Sequence, residues 1–255
     1  MNIFQIVLEQ PMFNALIWLY DVLPGADMGF AVLALTVLLK AVLWPLTGAS
    51  LKGQRAMQQL QPKLDAIRRE LKDNKEAQAK AMMELYAKEK VNPLSSCLPL
   101  LVQLPILIAL YRVLRDGLSA ANLSMLYPFV HNPGTVNAMF LHLVDLSKPS
   151  ILLAVAAAAL QFWQTKMLMV KAPPKALQKK EGAKDEDMMA AMNKSMTYMM
   201  PVMTLVIGWT LPGGLTLYWV AVNLVSIFQQ YVVFKRFPVV PPAPPALEPP
   251  KADAA

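Results

Sequence analysis

The stretch Met28 to Leu46, MGFAVLALTVLLKAVLWPL, carries one charge, Lys40, in an otherwise apolar run broken only by Thr36. As a helix its residues, at 1.5 Å each, reach about 28 Å, close to the roughly 30 Å of hydrocarbon in a bilayer. Four more stretches have the same character: Leu94 to Leu114, with Ser95, Ser96 and Gln103 embedded; Ser150 to Leu168; Met196 to Leu211; and Leu215 to Phe234. The last two are parted only by Pro212, Gly213 and Gly214, a tight turn. Five membrane spans are expected, in an all-α membrane protein. The composition agrees, with 56% hydrophobic and 16% charged residues and a mean hydropathy of +0.39.

The charge distribution sets the expected topology. Ten lysines and arginines, from Lys52 to Lys90, follow the first span, seven, from Lys166 to Lys194, follow the third, and Lys235, Arg236 and Lys251 follow the last. Only Arg112, Arg115 and Lys148 lie on the other side. Positive residues stay in the cytoplasm, so the N-terminus is expected outside and the C-terminus inside. Residues 1–27 read as an outside segment with an interfacial helix, and lack the basic start and small-residue cleavage site of a removed signal. Residues 28–236 read as the core, and 237–255 as a disordered proline-rich tail.

Between the first two spans the chain is amphipathic. Met57, Leu60, Leu64, Ile67 and Leu71 recur at helical spacing, as do Ala79, Met82, Met83 and Tyr86, with Asp73 and Asn74 between them. This predicts a helical hairpin over about 53–90, projecting into the cytoplasm. The blander alternative is a solvated charged linker.

Lys40 is the residue that most limits the function. A lysine inside a span is costly unless it pairs, snorkels or faces water, and none of the five spans holds an acid to pair with it. Thr36, Lys40, Trp44 and Thr47 share a helix face. In the last span Trp219, Asn223, Ser226 and Gln230 form a second polar stripe, and Gln161 with Gln164 or Thr165 offers a third. Any one such residue serves equally well as interhelical glue. Several stripes around an unpaired cation favour a shared polar cavity. The single cysteine, Cys97, excludes an internal disulfide, and His131 and His142 stand alone in a loop. No catalytic constellation, phosphate loop or metal-ligand spacing is present, so the chain reads as a non-enzyme without metal or cofactor.

The run Gln58 to Lys63, then Leu85-Tyr86, Val91-Asn92-Pro93-Leu94, Cys97-Leu98-Pro99, Gln103, Pro105-Ile106 and Ala109-Leu110-Tyr111, resembles the hairpin and second core span of the YidC/Oxa/Alb membrane protein insertases. Asp145-Leu146-Ser147-Lys148-Pro149 resembles the family's entry to the next span. Pro212, Gly214-Leu215, Leu217-Tyr218-Trp219, Asn223 and Gln229-Gln230 resemble its last core span. The similarity covers about residues 10–236, and points to the short bacterial kind, without a large periplasmic domain, in the inner membrane. It implies a positively charged groove, open to cytoplasm and lipid, in which clients release their spans into the bilayer. Lys40 falls where the family usually has arginine, and Thr36 on a groove-lining threonine.

The groove residues implied are Lys40, Thr36, Gln103, Gln161, Gln164, Trp219, Asn223 and Gln230, with Gln59, Pro62, Lys63, Arg68, Arg69 and Tyr86 of the hairpin meeting substrate or partner. The partners implied are nascent membrane proteins and anionic lipids, with the Sec translocon, ribosome and signal recognition pathway as further candidates, and no direct nucleic-acid specificity. Lysine for arginine keeps the charge but loses the planar fork. The tail lacks the basic run that other members bring to the ribosome. A small transporter using the buried lysine and a purely structural assembly factor are the alternatives.

Overall fold

Pro45 has no N–H to continue a helix begun before it, and the chain breaks there. The structure, a computed structural model, describes residues 2–92, 95, 98–116, 125–168 and 184–237, the side chains of 184–196 excepted. Helix α1 (Gln10–Val22) follows a π-helical turn at Gln5–Glu9, and α2 (Met28–Val42) runs antiparallel to it across the short turn at Leu23–Asp27. After Leu43 the chain turns by 65° into α3 (Trp44–Glu70), so the expected continuous span 28–46 is a bent pair. Pro45 is tolerated at the start of α3, where a missing N–H costs nothing. The first arm of the hairpin thus begins at Trp44, not near residue 53. Its second arm is α4 (Lys75–Lys88), capped by the Asn74 side chain accepting from the Ala77 N–H at 2.9 Å.

The remaining helices are α5 (Leu98–Asp116), α6 (Ile151–Leu168), α7 (Lys184–Thr210) and α8 (Gly213–Arg236). Among the described residues α5, α6 and α8 are each long and apolar enough to cross a membrane, and the bent α2–α3 pair makes a fourth. The fifth expected span, 196–211, lies in α7, whose side chains are described from Thr197 onward. A two-stranded antiparallel ribbon, β1 (Met139–Phe140) with β2 (Val144–Asp145), is an addition the sequence did not suggest. The segment around Pro173 and Pro174, Cys97, Pro93-Leu94 and the tail beyond Phe237 lie outside the described residues.

The core sits at the ribbon's end of the bundle. Phe13, Leu16 and Ile17 of α1, Met28 and Ala31 of α2, Ala109 and Leu110 of α5, and Tyr218 of α8 are buried together. Lipid is as apolar as leucine, so close packing rather than water exclusion holds membrane helices. The small residues serve that end. Ala154 and Ala157 of α6 are fully buried, and a Cβ on Gly208 of α7 would lie 3.3 Å from the Ala154 methyl.

This end is closed by hydrogen bonds to backbone. Asp27 caps α2 by accepting from Gly29 at 2.7 Å and Phe30 at 3.3 Å, and its second oxygen accepts from the Leu141 N–H of the ribbon turn at 2.6 Å. A side chain on Gly29 would collide with Phe140, whose own Cβ would be 2.8 Å away. Asn14 donates to the Met125 carbonyl at 3.1 Å and accepts from the Tyr127 N–H at 2.6 Å. At the start of α8 the Gly213 and Gly214 N–H groups donate to the Lys148 and Leu146 carbonyls, each at 2.9 Å. That contact joins two motifs distant in sequence. Asp145 shapes the loop by accepting from the Ser147 N–H at 3.0 Å and pairing with Lys148 at 2.9 Å.

Candidate functional site

Toward the hairpin, polar side chains replace the aliphatic packing. Lys40, in the last turn of α2, is 9% exposed and donates from Nζ to the Ser226 hydroxyl of α8 at 2.9 Å. No carboxylate lies within ion-pairing distance of it among the described residues, so its only hydrogen-bond partner there is neutral. Thr36, one turn earlier and 1% exposed, turns its hydroxyl back to the Val32 carbonyl at 2.7 Å. It lines the same seam without reaching across it.

Trp219, Asn223, Ser226 and Gln230 fall within an arc of about 60° on α8, given 100° per residue. Asn223 is buried and donates to the Ala157 carbonyl of α6 at 3.2 Å. Trp219 is half-buried against the core. Gln230 is 2% exposed, yet its Oε1 has no donor among the described residues. Gln164 of α6, half-buried, is in the same state, whereas Gln161, one turn before it, is half-buried with its carbonyl accepting the Thr165 hydroxyl at 2.8 Å. Buried oxygens without donors are rare and costly in folded proteins. Gln230 lies about one turn beyond Ser226, the partner of Lys40, on the same stripe of α8.

Gln103 stands apart from this group. It comes from α5 and donates to the Tyr218 hydroxyl, on another face of α8. Gln229, absent from the expected groove set, has the largest structural task. Its amide donates to the Trp44 carbonyl at 3.0 Å and the Thr47 hydroxyl at 2.8 Å, while Thr47 also bonds the Leu43 carbonyl at 2.9 Å. Both carbonyls stand at the start of α3, where the Leu43 one also accepts from the Thr47 N–H at 2.9 Å, so Gln229 ties α8 to the chain just after the break. Two adjacent glutamines in a span were the available signal; which of them faced the break was not readable.

The expected hairpin residues spread along α3 and α4. Lys63 pairs with Glu89 at 2.5 Å, tying the arms together, and the lysine holds the Glu89 carboxyl below its usual range by hydrogen bond and charge. Arg68 pairs with Asp65 at 2.9 Å, and its carbonyl accepts from Gln78 at 3.4 Å. Gln59, Pro62 and Arg69 are exposed, and Tyr86 is half-buried. Among the described residues no cluster of His, Cys, Asp or Glu is arranged to hold a metal.

Residues 18–239 match the family model described as 60Kd inner membrane protein. A Fusobacterium nucleatum protein described as membrane protein insertase YidC is 35% identical over 210 residues, covering 82% of this chain and 87% of its own length. A Bordetella petrii protein of the same description is 34% identical over 233 residues, 90% of this chain but only 35% of its own. Among solved structures, an active YidC insertase with its first transmembrane domain resolved superposes with a TM-score of 0.55 at 26% identity, covering 88% of this chain and 46% of that one.

Proposed function

The chain belongs to the 60Kd inner membrane protein family, and from that premise we propose that it inserts other proteins into the membrane by receiving their polar segments at the Lys40 seam. The observation that carries this reading is the buried cation itself, bonded to the Ser226 hydroxyl on the polar stripe of α8, with the Gln230 oxygen of that stripe and the Gln164 oxygen of α6 without donors among the described residues. A hydrophilic client segment entering from the hairpin side brings donors to those oxygens and carboxylates to Lys40, replacing part of its lost hydration. The client's apolar span then moves sideways into lipid, releasing about 25 cal/mol per Å² of apolar surface withdrawn from water. Nothing in this sequence of events makes or breaks a covalent bond.

The charge distribution supports five spans with the N-terminus outside and the hairpin in the cytoplasm. The clients are nascent membrane proteins. The exposed Gln59, Pro62, Lys63 and Arg69 suit first contact with them, with anionic lipid, or with a ribosome, translocon or signal recognition component that delivers them. No observation favours the transporter or the assembly factor.

Complementation of a depleted strain with Lys40→Ala, Lys40→Glu and Lys40→Arg tests the proposal. Insertion of a single-span client with an acidic translocated tail is expected to fall with Ala, fall further with Glu and be retained with Arg. Equal insertion by all three removes the charge from the mechanism.

A further inference from the structure

On its outer surface the α2–α8 seam opens into a cleft of about 380 Å³, lined by Val37, Ala41, Trp44, Leu224, Val225 and Phe228. Its walls are almost wholly apolar, and the Trp44 and Phe228 rings stand 6.2 Å apart. An unbranched chain fits such a space.

The end of the cleft nearer the hairpin leads to cations. Leu224, Phe228, Tyr231 and Lys235 recur at i, i+4, i+7 and i+11, so one exposed face of α8 runs from the cleft to Lys235, about 10 Å beyond Phe228. Lys52 of α3 lies 4.7 Å over the Phe237 ring and Arg55 3.5 Å over the Phe234 ring, which brings both to the end of α8 that carries Lys235 and Arg236. Arg55 Nε has no acceptor among the described residues. There is no acid anywhere on α8, nor on α3 before Asp65. An apolar slot ending in several basic side chains, with no acid on the stretches of α3 and α8 that carry them, is complementary to one class of molecule found in membranes.

We propose that this is a binding site for a single anionic diacyl phospholipid, with its phosphate held by Lys52, Lys235 and Arg236 and one acyl chain in the cleft. The site requires the chain to lie in a bilayer and does not depend on a client or on Lys40, so it stands or falls apart from the insertion mechanism. Lys52, Lys235, Arg236 and Ala41 are all exposed, and their substitution leaves the packing of the bundle intact.

The test is native mass spectrometry of the detergent-purified full chain with phosphatidylglycerol and phosphatidylcholine of matched acyl chains in competition. One phosphatidylglycerol is expected to be retained over phosphatidylcholine by on the order of tenfold, through the three phosphate-binding cations. The combined change Lys52→Gln, Lys235→Gln and Arg236→Gln is expected to bring the two lipids to parity, and Ala41→Phe to reduce retention of both. Lys80→Gln with Lys88→Gln, on the hairpin, is expected to change nothing. Equal retention of both lipids by the unaltered chain would overturn the proposal. So would an equal loss in the hairpin control, which indicates general attraction, or full displacement by free glycerol phosphate, which indicates an anion site without a chain slot.

Discussion

The two ends of the bundle handle buried polar atoms in opposite ways. At the ribbon end the buried polar side chains meet backbone: Asp27 accepts three N–H groups, Asn14 bonds three backbone groups, and the first N–H groups of α8 find carbonyls in the loop before α6. At the Lys40 end bonds to backbone are joined by bonds between side chains, Lys40 to Ser226 and Thr47 to Gln229, and some acceptors have no donor among the described residues. Backbone partners are fixed in place, so the first arrangement seals. Side-chain partners rotate and can be exchanged, which suits the second to the proposed reception of a client. The fold is closed by construction at the ribbon end and left negotiable at the Lys40 end.

The sharpest way to break the contrast is at Gly29. Gly29→Ala forces a methyl against Phe140 and is expected to lower stability by about 3 kcal/mol, since overpacking a tight site typically costs 1–3. Thermal unfolding in detergent measures the loss, and adding Phe140→Ala is expected to recover most of it. Recovery would show that the ribbon, rather than helix α2 alone, forms the seal.

Asp27→Ala comes next. It removes a helix cap and leaves the Leu141 N–H without its partner, with an expected loss of about 2 kcal/mol. Asp27→Asn is expected to fall between the two.

The adjacent glutamines then separate the two kinds of polar group within one helix. Gln229→Leu removes the bonds from α8 to the Trp44 carbonyl and the Thr47 hydroxyl and is expected to cost about 1–2 kcal/mol. Gln230→Leu removes an oxygen that has no donor and is expected to leave stability unchanged or slightly higher, while reducing client insertion. If both changes destabilise equally, the open acceptor at Gln230 is not open in the membrane.

The smallest effect belongs to Asp145, whose carboxyl is pushed down from 3.8 to about 2, first by the Ser147 hydroxyl and then by Lys148. A lowered carboxylate adds stability above its unfolded value and loses it as pH falls through the folded one. A small decline between pH 3.8 and about 2 is therefore expected. Asp145→Asn should abolish that decline, as read by unfolding at each pH.

Much of the working end was legible because its signals are local. Lys40 declared itself as a charge without an acid in any span, and the α8 stripe followed from spacing alone. The hairpin was legible from its apolar period, although its first arm was placed too late. Pro45 sat in plain view, but a proline near the end of an apolar run reads as a span terminus as easily as a bend. The ribbon end was largely hidden. The role of Asp27 depends on Leu141, more than a hundred residues away, and two-residue strands leave no periodic trace. Which of Gln229 and Gln230 is committed depends on the 65° turn, a tertiary fact.

That turn also sets a mechanical ratio. Helix α3 has 27 residues and is about 40 Å long at 1.5 Å per residue. With its base pinned by Gln229 and Thr47, it is a lever whose fulcrum sits next to Lys40. A swing of about 10° about that base would sweep the far tip through about 7 Å, more than one helix turn.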